Sequence, residues 1–221
     1  MSEVHIFDVD HTIIKQSTGR CFIKEALSNN LVTMSQVVKL PIKYIMYKLG
    51  LLPPEAVERE IRNLKGIKID LLQNLSLDSF NRQGKSQLYT DVIQRISELK
   101  SQGHRIIAAT SSVEFLVEPL LNYLEIDEFI ATKMEVIDGE ITGKTIGSPV
   151  FGNGKKVAVE AYFKEQNLDL NKAIFYTDSI NDLPLLQTCG TPIAVNPDRL
   201  LRKKARKSNW KILIYKDILG K

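Results

Sequence analysis

From Leu88 onward, short apolar runs alternate with amphipathic stretches, and this alternation restricts the fold more than any other feature of the chain. Arg105-Ile106-Ile107-Ala108-Ala109-Thr110, Phe129-Ile130-Ala131-Thr132, Ala173-Ile174-Phe175-Tyr176-Thr177, Pro192-Ile193-Ala194-Val195 and residues 211–215 read as strands. Residues 91–102, 113–124, 155–166, 180–187 and 198–208 read as helices. Strands that are apolar along most of their length need cover on both faces, and strands alternating with helices build a parallel sheet. The strand at 105–110 is expected to stop in a polar Thr110-Ser111-Ser112 turn. Asp138-Gly139, between Glu135-Val136-Ile137 and Glu140-Ile141-Thr142, signals one hairpin.

A first strand, carried by Val4, Ile6 and Phe7, runs into Asp8-Val9-Asp10-His11-Thr12. Residues i and i+2 of extended chain point the same way, so Asp8 and Asp10 can share one small site. Adjacent carboxylates repel unless a cation or a shared proton lies between them. The pair is therefore a candidate for Mg²⁺, a hard ion that prefers oxygen ligands. The plainer reading is a turn that merely ends a strand.

Between this strand and Leu88 the signals are helical. Phe22, Ile23, Ala26 and Leu27 have helical spacing, Asn29-Asn30 interrupts it, and Ser35 can cap a second helix. Pro53-Pro54-Glu55 opens a third, and residues 69–81 read as a fourth. Residues 37–52 are rich in large apolar side chains, among them Leu40, Ile42, Tyr44, Ile45, Met46 and Tyr47. Lys39 and Lys43 share a face while Lys48 falls opposite, so the segment reads as packed or pocket-lining; weak membrane-surface contact is the competing reading.

The 221 residues hold one domain with a large insertion or two modest ones, and 43% hydrophobic with 25% charged residues is ordinary for a globular chain. Cys21 and Cys189 stand alone and read as small buried residues. His5, His11 and His104 show no ligand spacing, so no zinc site is expected. No leader and no run of transmembrane length is visible, and a cytoplasmic location is expected. The basic run Arg199, Arg202, Lys203, Lys204, Arg206, Lys207 and Lys211 reads as a solvated helix face, with no nucleic-acid partner expected.

In open parallel sheets ligands bind at the carboxyl ends of the strands. Those ends carry Asp8, Asp10 and Thr12; Thr110, Ser111 and Ser112; and Thr177-Asp178-Ser179-Ile180-Asn181-Asp182. Gly152-Asn153-Gly154-Lys155 adds a lysine at a helix start, where a cation is less expected. Together these are an acidic metal site, a hydroxyl donor and a fixed positive charge, the equipment for holding a phosphoryl group. Asn153 occupies the lysine position of a P-loop counted from Gly147, which argues against that motif.

Asp8-x-Asp10-x-Thr12, Thr110, Lys155 and Asp178-x-x-Asn181-Asp182, in this order, resemble the four motifs of the haloacid dehalogenase superfamily. Phe115-Leu116-Val117-Glu118-Pro119, the stretch from Tyr176 through Leu186 and Ala194-Val195-Asn196-Pro197-Asp198 are similar to its phosphoserine-phosphatase-like branch. The resemblance implies an α/β fold: a Rossmann-like parallel sheet with helices on both faces, from residues 1–16 and 88–221, and a small all-helical cap from residues 17–87. It further implies a Mg²⁺-dependent phosphatase acting on a small phosphorylated substrate. In that reading Asp8 is the nucleophile and Asp10 the acid and base. Asp8, Asp10 and Asp178 hold the metal, with Thr12 and Asp182 in support. Thr110, Ser111, Lys155 and Asn181 meet the substrate. Ion pumps and dehalogenases of the superfamily lack an acid at the position of Asp10, so hydrolysis or phosphoryl transfer to a sugar is favoured. His11 stands where many members carry a small residue. Phosphoserine phosphatases carry a carboxylate nine residues after the nucleophile, where this chain has Ser17; L-phosphoserine is therefore not the expected main substrate. Ser17, Arg20, Arg59 and Arg62 are the cap candidates for specificity. The alternatives are a phosphotransferase or mutase with the same first half-reaction, and a membrane- or partner-binding protein using the apolar segment and the basic tail.

Overall fold

The strand-and-helix alternation closes into one sheet. The computed structural model describes residues 2–29 and 55–220. Its strands are β1 (Val4–Phe7), β2 (Arg105–Val113), β3 (Glu128–Ile137), β4 (Glu140–Ile146), β5 (Ile174–Thr177), β6 (Thr191–Val195) and β7 (Lys211–Leu213). They lie in the order β4-β3-β2-β1-β5-β6-β7, with every pair parallel except the β3–β4 hairpin. Chain direction across the sheet reverses at β1, so β2 and β5 flank it and the switch point opens beside it.

Alternate residues feed two cores. Phe7, Ile106, Ala108, Tyr176, Ile193 and Val195 face one layer, where α4 (Thr90–Ser101) supplies Val92, Ile96 and Leu99 and α5 (Glu114–Tyr123) supplies Val117, Leu120 and Leu121. Ile6, Ile107, Ala109, Phe175 and Ala194 face the other. There α6 (Asn153–Glu165) contributes Val159 and Phe163, α7 (Leu183–Leu186) Leu185 and Leu186, and α8 (Arg199–Lys207) Leu201 and Ala205. This period-two split of apolar strands is why the strands read as continuous hydrophobic runs. Arg199, Arg202, Lys203, Arg206 and Lys207 of α8 are exposed, the solvated face expected of that basic run, while Lys204 is half-buried over the Trp210 ring.

The segment after β1 contributes α1 (Thr18–Ser28), α2 (Glu55–Arg62) and α3 (Ile69–Ser79), and α3 continues into a π-helical turn over Phe80–Gly84. A third apolar cluster joins Phe22, Ala26, Ile61, Leu72 and Leu75 of these helices to Phe115, Met134 and Ile141 of α5, β3 and β4. Backbone bonds from Gly66 N to Ile141 O (2.8 Å) and from Ile69 N to Gly139 O (2.9 Å) also tie the helical segment to the hairpin. The Ser35 cap, the Pro53-Pro54 start and the apolar segment 37–52 lie outside the described residues. Among the described residues no helix is long and apolar enough to cross a membrane.

Two expectations change. β2 does not stop at Thr110: after a register shift beyond Ala109 it runs to Val113, paired with Thr132 of β3, because Ser111 and Ser112 keep extended backbone. The histidines do not all stand apart either. His5 and His104 meet edge to face with ring centroids 5.2 Å apart, since His104 immediately precedes β2, the neighbour of β1. Cys21 and Cys189 are free and buried, as expected of small core residues.

Candidate active site

Asp8 is the first residue beyond β1, and its N–H still donates to Tyr176 O at 2.9 Å, so it stands at the sheet's carboxyl edge. Val9 turns fully into the core, which leaves Asp8 and Asp10 on the opposite side, as the i, i+2 spacing requires. The Val9 carbonyl then accepts N–H bonds from Thr12, Ile13 and Ile14, curling the chain away from the sheet. His11 takes φ 63 in this curl and its Nδ1–H donates to Lys15 O at 2.9 Å. Histidine is among the few side chains enriched in left-handed backbone, which gives this residue a turn-forming role.

Lys155 enters from the first turn of α6. Gly152, at φ 55, begins that helix, and a Cβ on Gly154 would stand 2.3 Å from Pro149 O, so only glycine permits the close approach. The ammonium is 2% exposed and spans two carboxylates, with Nζ 2.8 Å from Asp8 Oδ1 and 2.9 Å from Asp182 Oδ2. Thr177 Oγ1 donates to the same Asp182 oxygen at 2.6 Å, and Thr12 Oγ1 to Asp8 Oδ2 at 3.4 Å. Burial and the helix start both disfavour the charge on Lys155, yet Asp182 and Asp8 outweigh them and push its pKa up.

Asp8 and Asp182 share the one ammonium, and Asp178, also buried, adds a third carboxylate charge beside Asp8. Burial, with Asp182 and Asp178 alongside, pushes the Asp8 carboxyl up to about 8 against the pull of Lys155. A site so short of positive charge is relieved by a proton or by a cation, and its donors are oxygens, the ligand type a hard dication prefers. Asp178 is seated by the loop after β6: Asp198 N–H donates to Asp178 O at 2.8 Å, while the Asp198 carboxylate caps α8 and accepts Ile180 N–H at 2.8 Å.

Asp10 is half-buried and doubly held. Its Oδ1 accepts Thr18 N–H at 2.6 Å, from the start of α1, and its Oδ2 accepts Ser112 Oγ–H at 2.6 Å, from the extension of β2. Thr110 is buried at the same edge, and its Oγ1 accepts Ser112 N–H at 3.1 Å. Ser111 points its carbonyl to Thr132 Oγ1, and Asn181 Nδ2 donates to Ser179 Oγ at 3.1 Å. Ser17 caps α1, its Oγ accepting Arg20 N–H at 3.2 Å. Arg20, Arg59 and Arg62 are exposed. Sequence reasoning assigned no role to Ser112, Thr18, Thr177 or Asp198. The signals for them were the polar run 110–112, the strand end at Thr177 and the helix start at Asp198.

The model of the haloacid dehalogenase-like hydrolase family matches residues 6–187. The chain is 27% identical to a histidinol-phosphatase of Neisseria meningitidis serogroup C, over 98% of this chain and all of the relative. It is 26% identical to a phosphoserine phosphatase of Mycobacterium tuberculosis, over 93% of this chain and 68% of the relative. A substrate-bound phosphoserine phosphatase structure superposes with a TM-score of 0.72 at 20% identity, covering 99% of this chain and 95% of the other, which shows the shared fold.

Proposed function

The chain belongs to the haloacid dehalogenase-like hydrolases and is an enzyme acting on phosphoric monoesters; on that premise we propose that it is a Mg²⁺-dependent phosphatase working through a phosphorylated Asp8. The observation that carries this reading is Lys155, buried between Asp8 and Asp182 at the carboxyl edge of β1, with Asp10 turned to the same side. An ammonium in that place pulls Asp8 towards its ionised form, against the burial that raises it, and draws phosphoryl oxygens towards the carboxylate that must attack them.

Asp8 forms the new oxygen–phosphorus bond as the ester oxygen leaves, and Asp10 gives that oxygen its proton. Asp10 then takes a proton from water as the water attacks phosphorus. The bond to Asp8 breaks, and inorganic phosphate departs. Ser112 suits both halves of this cycle, because a hydroxyl donates to the carboxylate and accepts from the carboxylic acid. Thr110 Oγ1 and Lys155 Nζ bind phosphoryl oxygens. Asp8, Asp178 and Asp10 would hold Mg²⁺, which when bound supplies charge that neutralises the phosphoryl oxygens.

The preferred substrate is a small phosphomonoester other than L-phosphoserine. Ser17 is committed to capping α1, and it offers no carboxylate for an ammonium group. Because one relative is named a histidinol-phosphatase, amino-alcohol phosphates join amino-acid, sugar and lipid phosphates in the test panel. The test is inorganic phosphate release over that panel with Mg²⁺ and no acceptor alcohol. Release that vanishes in Asp8→Asn supports the reading. Release that appears only when an acceptor is added supports a phosphotransferase instead.

A further inference from the structure

We propose that Glu3, His5 and His104 form a second metal site, at the amino ends of β1 and β2, for a borderline dication of the Zn²⁺ class. It lies at the edge of the sheet opposite Asp8 and uses none of the residues given roles above. Glu3 and His5 are i and i+2 on extended chain, so their side chains leave the strand in the same direction. The register Val4↔Arg105 sets His104 beside Glu3 on the neighbouring strand. One donor atom from each of the three side chains then lies within 4.8 Å of the others.

His5 supplies the second, independent observation. The residue is fully buried, and its Nε2 has no hydrogen-bond partner. Its Nδ1 meets the Tyr176 hydroxyl at 3.1 Å, which fixes the ring and leaves Nε2 as the lone-pair nitrogen when Nδ1 donates. That is the arrangement of a metal-bound histidine, whose other nitrogen donates to a supporting group. Nε2 stands 3.6 Å from Glu3 Oε2, too long for a good hydrogen bond. Two ligands of one tetrahedral zinc stand about 3.3 Å apart, close to that spacing. Burial, His104 and Arg95 also bias His5 against a proton, so its lone pair is available.

Two imidazoles and one carboxylate are the donors of open zinc sites, with water in the fourth position. Glu3 is exposed and His104 half-exposed, which gives the ion a way in. Its capture has an identifiable cost. His104 Nδ1 accepts Glu3 N–H at 3.0 Å, and ligation through either ring nitrogen gives up that bond. The Arg95 cation nearby opposes the ion, and the Glu3 carboxylate offsets it.

The test titrates Zn²⁺ and Co²⁺ into the Asp178→Asn protein, whose catalytic site is weakened for metal, and into the same protein carrying His104→Gln or Glu3→Gln. Chelator competition should give one Zn²⁺ per chain in the parent and at least a tenfold weaker Kd in His104→Gln. The parent should show a visible Co²⁺ absorption band that both second variants lose. Circular dichroism without metal checks that these surface variants fold. In the otherwise wild-type chain, His104→Gln should leave Mg²⁺-dependent phosphatase activity unchanged. Zn²⁺ affinity and the Co²⁺ band equal in parent and variants, or no binding by the parent, would overturn the proposal.

Discussion

Replacing Ser112 with alanine should damage the enzyme in a way that depends on the leaving group. The side chain donates to Asp10 Oδ2 at 2.6 Å, and the other Asp10 oxygen keeps its 2.6 Å bond from Thr18 N–H. The carboxylate stays in the site but becomes free to turn about the remaining bond. A hydrogen bond to a charged group contributes about 1.5–3 kcal/mol, and half-burial of Asp10 places this one towards the lower end. At about 1.5–2 kcal/mol, kcat/KM for an alkyl phosphate, whose leaving oxygen needs the Asp10 proton, should fall roughly 10–30-fold. Nitrophenyl phosphate departs without a proton, so its kcat/KM, which reports only the first phosphoryl transfer, should fall less than about threefold. The assay is steady-state kinetics on both esters, with thermal unfolding to check that Ser112→Ala is folded. Equal losses on the two esters would refute the reasoning, because a defect that ignores leaving-group basicity lies in binding or fold rather than in the placing of Asp10.

Lys155→Met strips the cation from between two buried carboxylates; denaturant unfolding without Mg²⁺ should show about 3–5 kcal/mol lost, less where Asp8 takes up a proton, and turnover should vanish. Cys189 should resist alkylation in the native protein at pH 8, because burial pushes its thiol up to about 11 and leaves roughly one thiolate in a thousand; rapid native labelling would contradict this. L-phosphoserine should trail another phosphomonoester at least tenfold in kcat/KM, on the order of the cost of an unpaired buried ammonium; if it leads the panel, a carboxylate other than the one absent at Ser17 must be meeting that group.

Much of the sheet was legible because its apolar strands carry the period-two split in their own side chains, and Asp138-Gly139 spelled out the hairpin through two left-handed residues, φ 52 and φ 78. The acidic positions were legible from order and spacing, since Asp8 and Asp178 follow strands directly, Asp10 lies two residues beyond Asp8, and Asp182 precedes α7. What sequence could not supply was register. The extension of β2 through Ser111 and Ser112 depends on pairing with β3, so two polar residues that read as a turn are held extended and one of them reaches Asp10. The grip of Thr18 N–H on Asp10 depends on where α1 starts, and main-chain donors leave no compositional trace. The meeting of His5 and His104 depends on which residue of β2 lies beside β1, a fact invisible along a chain that separates them by 99 residues. Glu25 illustrates the same limit: it looks like a solvent position of α1 but is buried, its carboxylate held at 2.8 Å by Arg82.

The central claim is that Asp8 itself takes the phosphoryl group. Asp10→Asn removes the base that activates water but leaves Asp8 and Lys155 in place, so with nitrophenyl phosphate the first half-reaction outruns the second. The direct measurement is mass spectrometry of this variant, acid-quenched during turnover with Mg²⁺ and digested. The account predicts a peptide containing Asp8 heavier by one phosphoryl group, together with a burst of nitrophenol near one equivalent per enzyme. An unmodified Asp8 under conditions where nitrophenol is still being released, or a phosphoryl group on another residue, would contradict it.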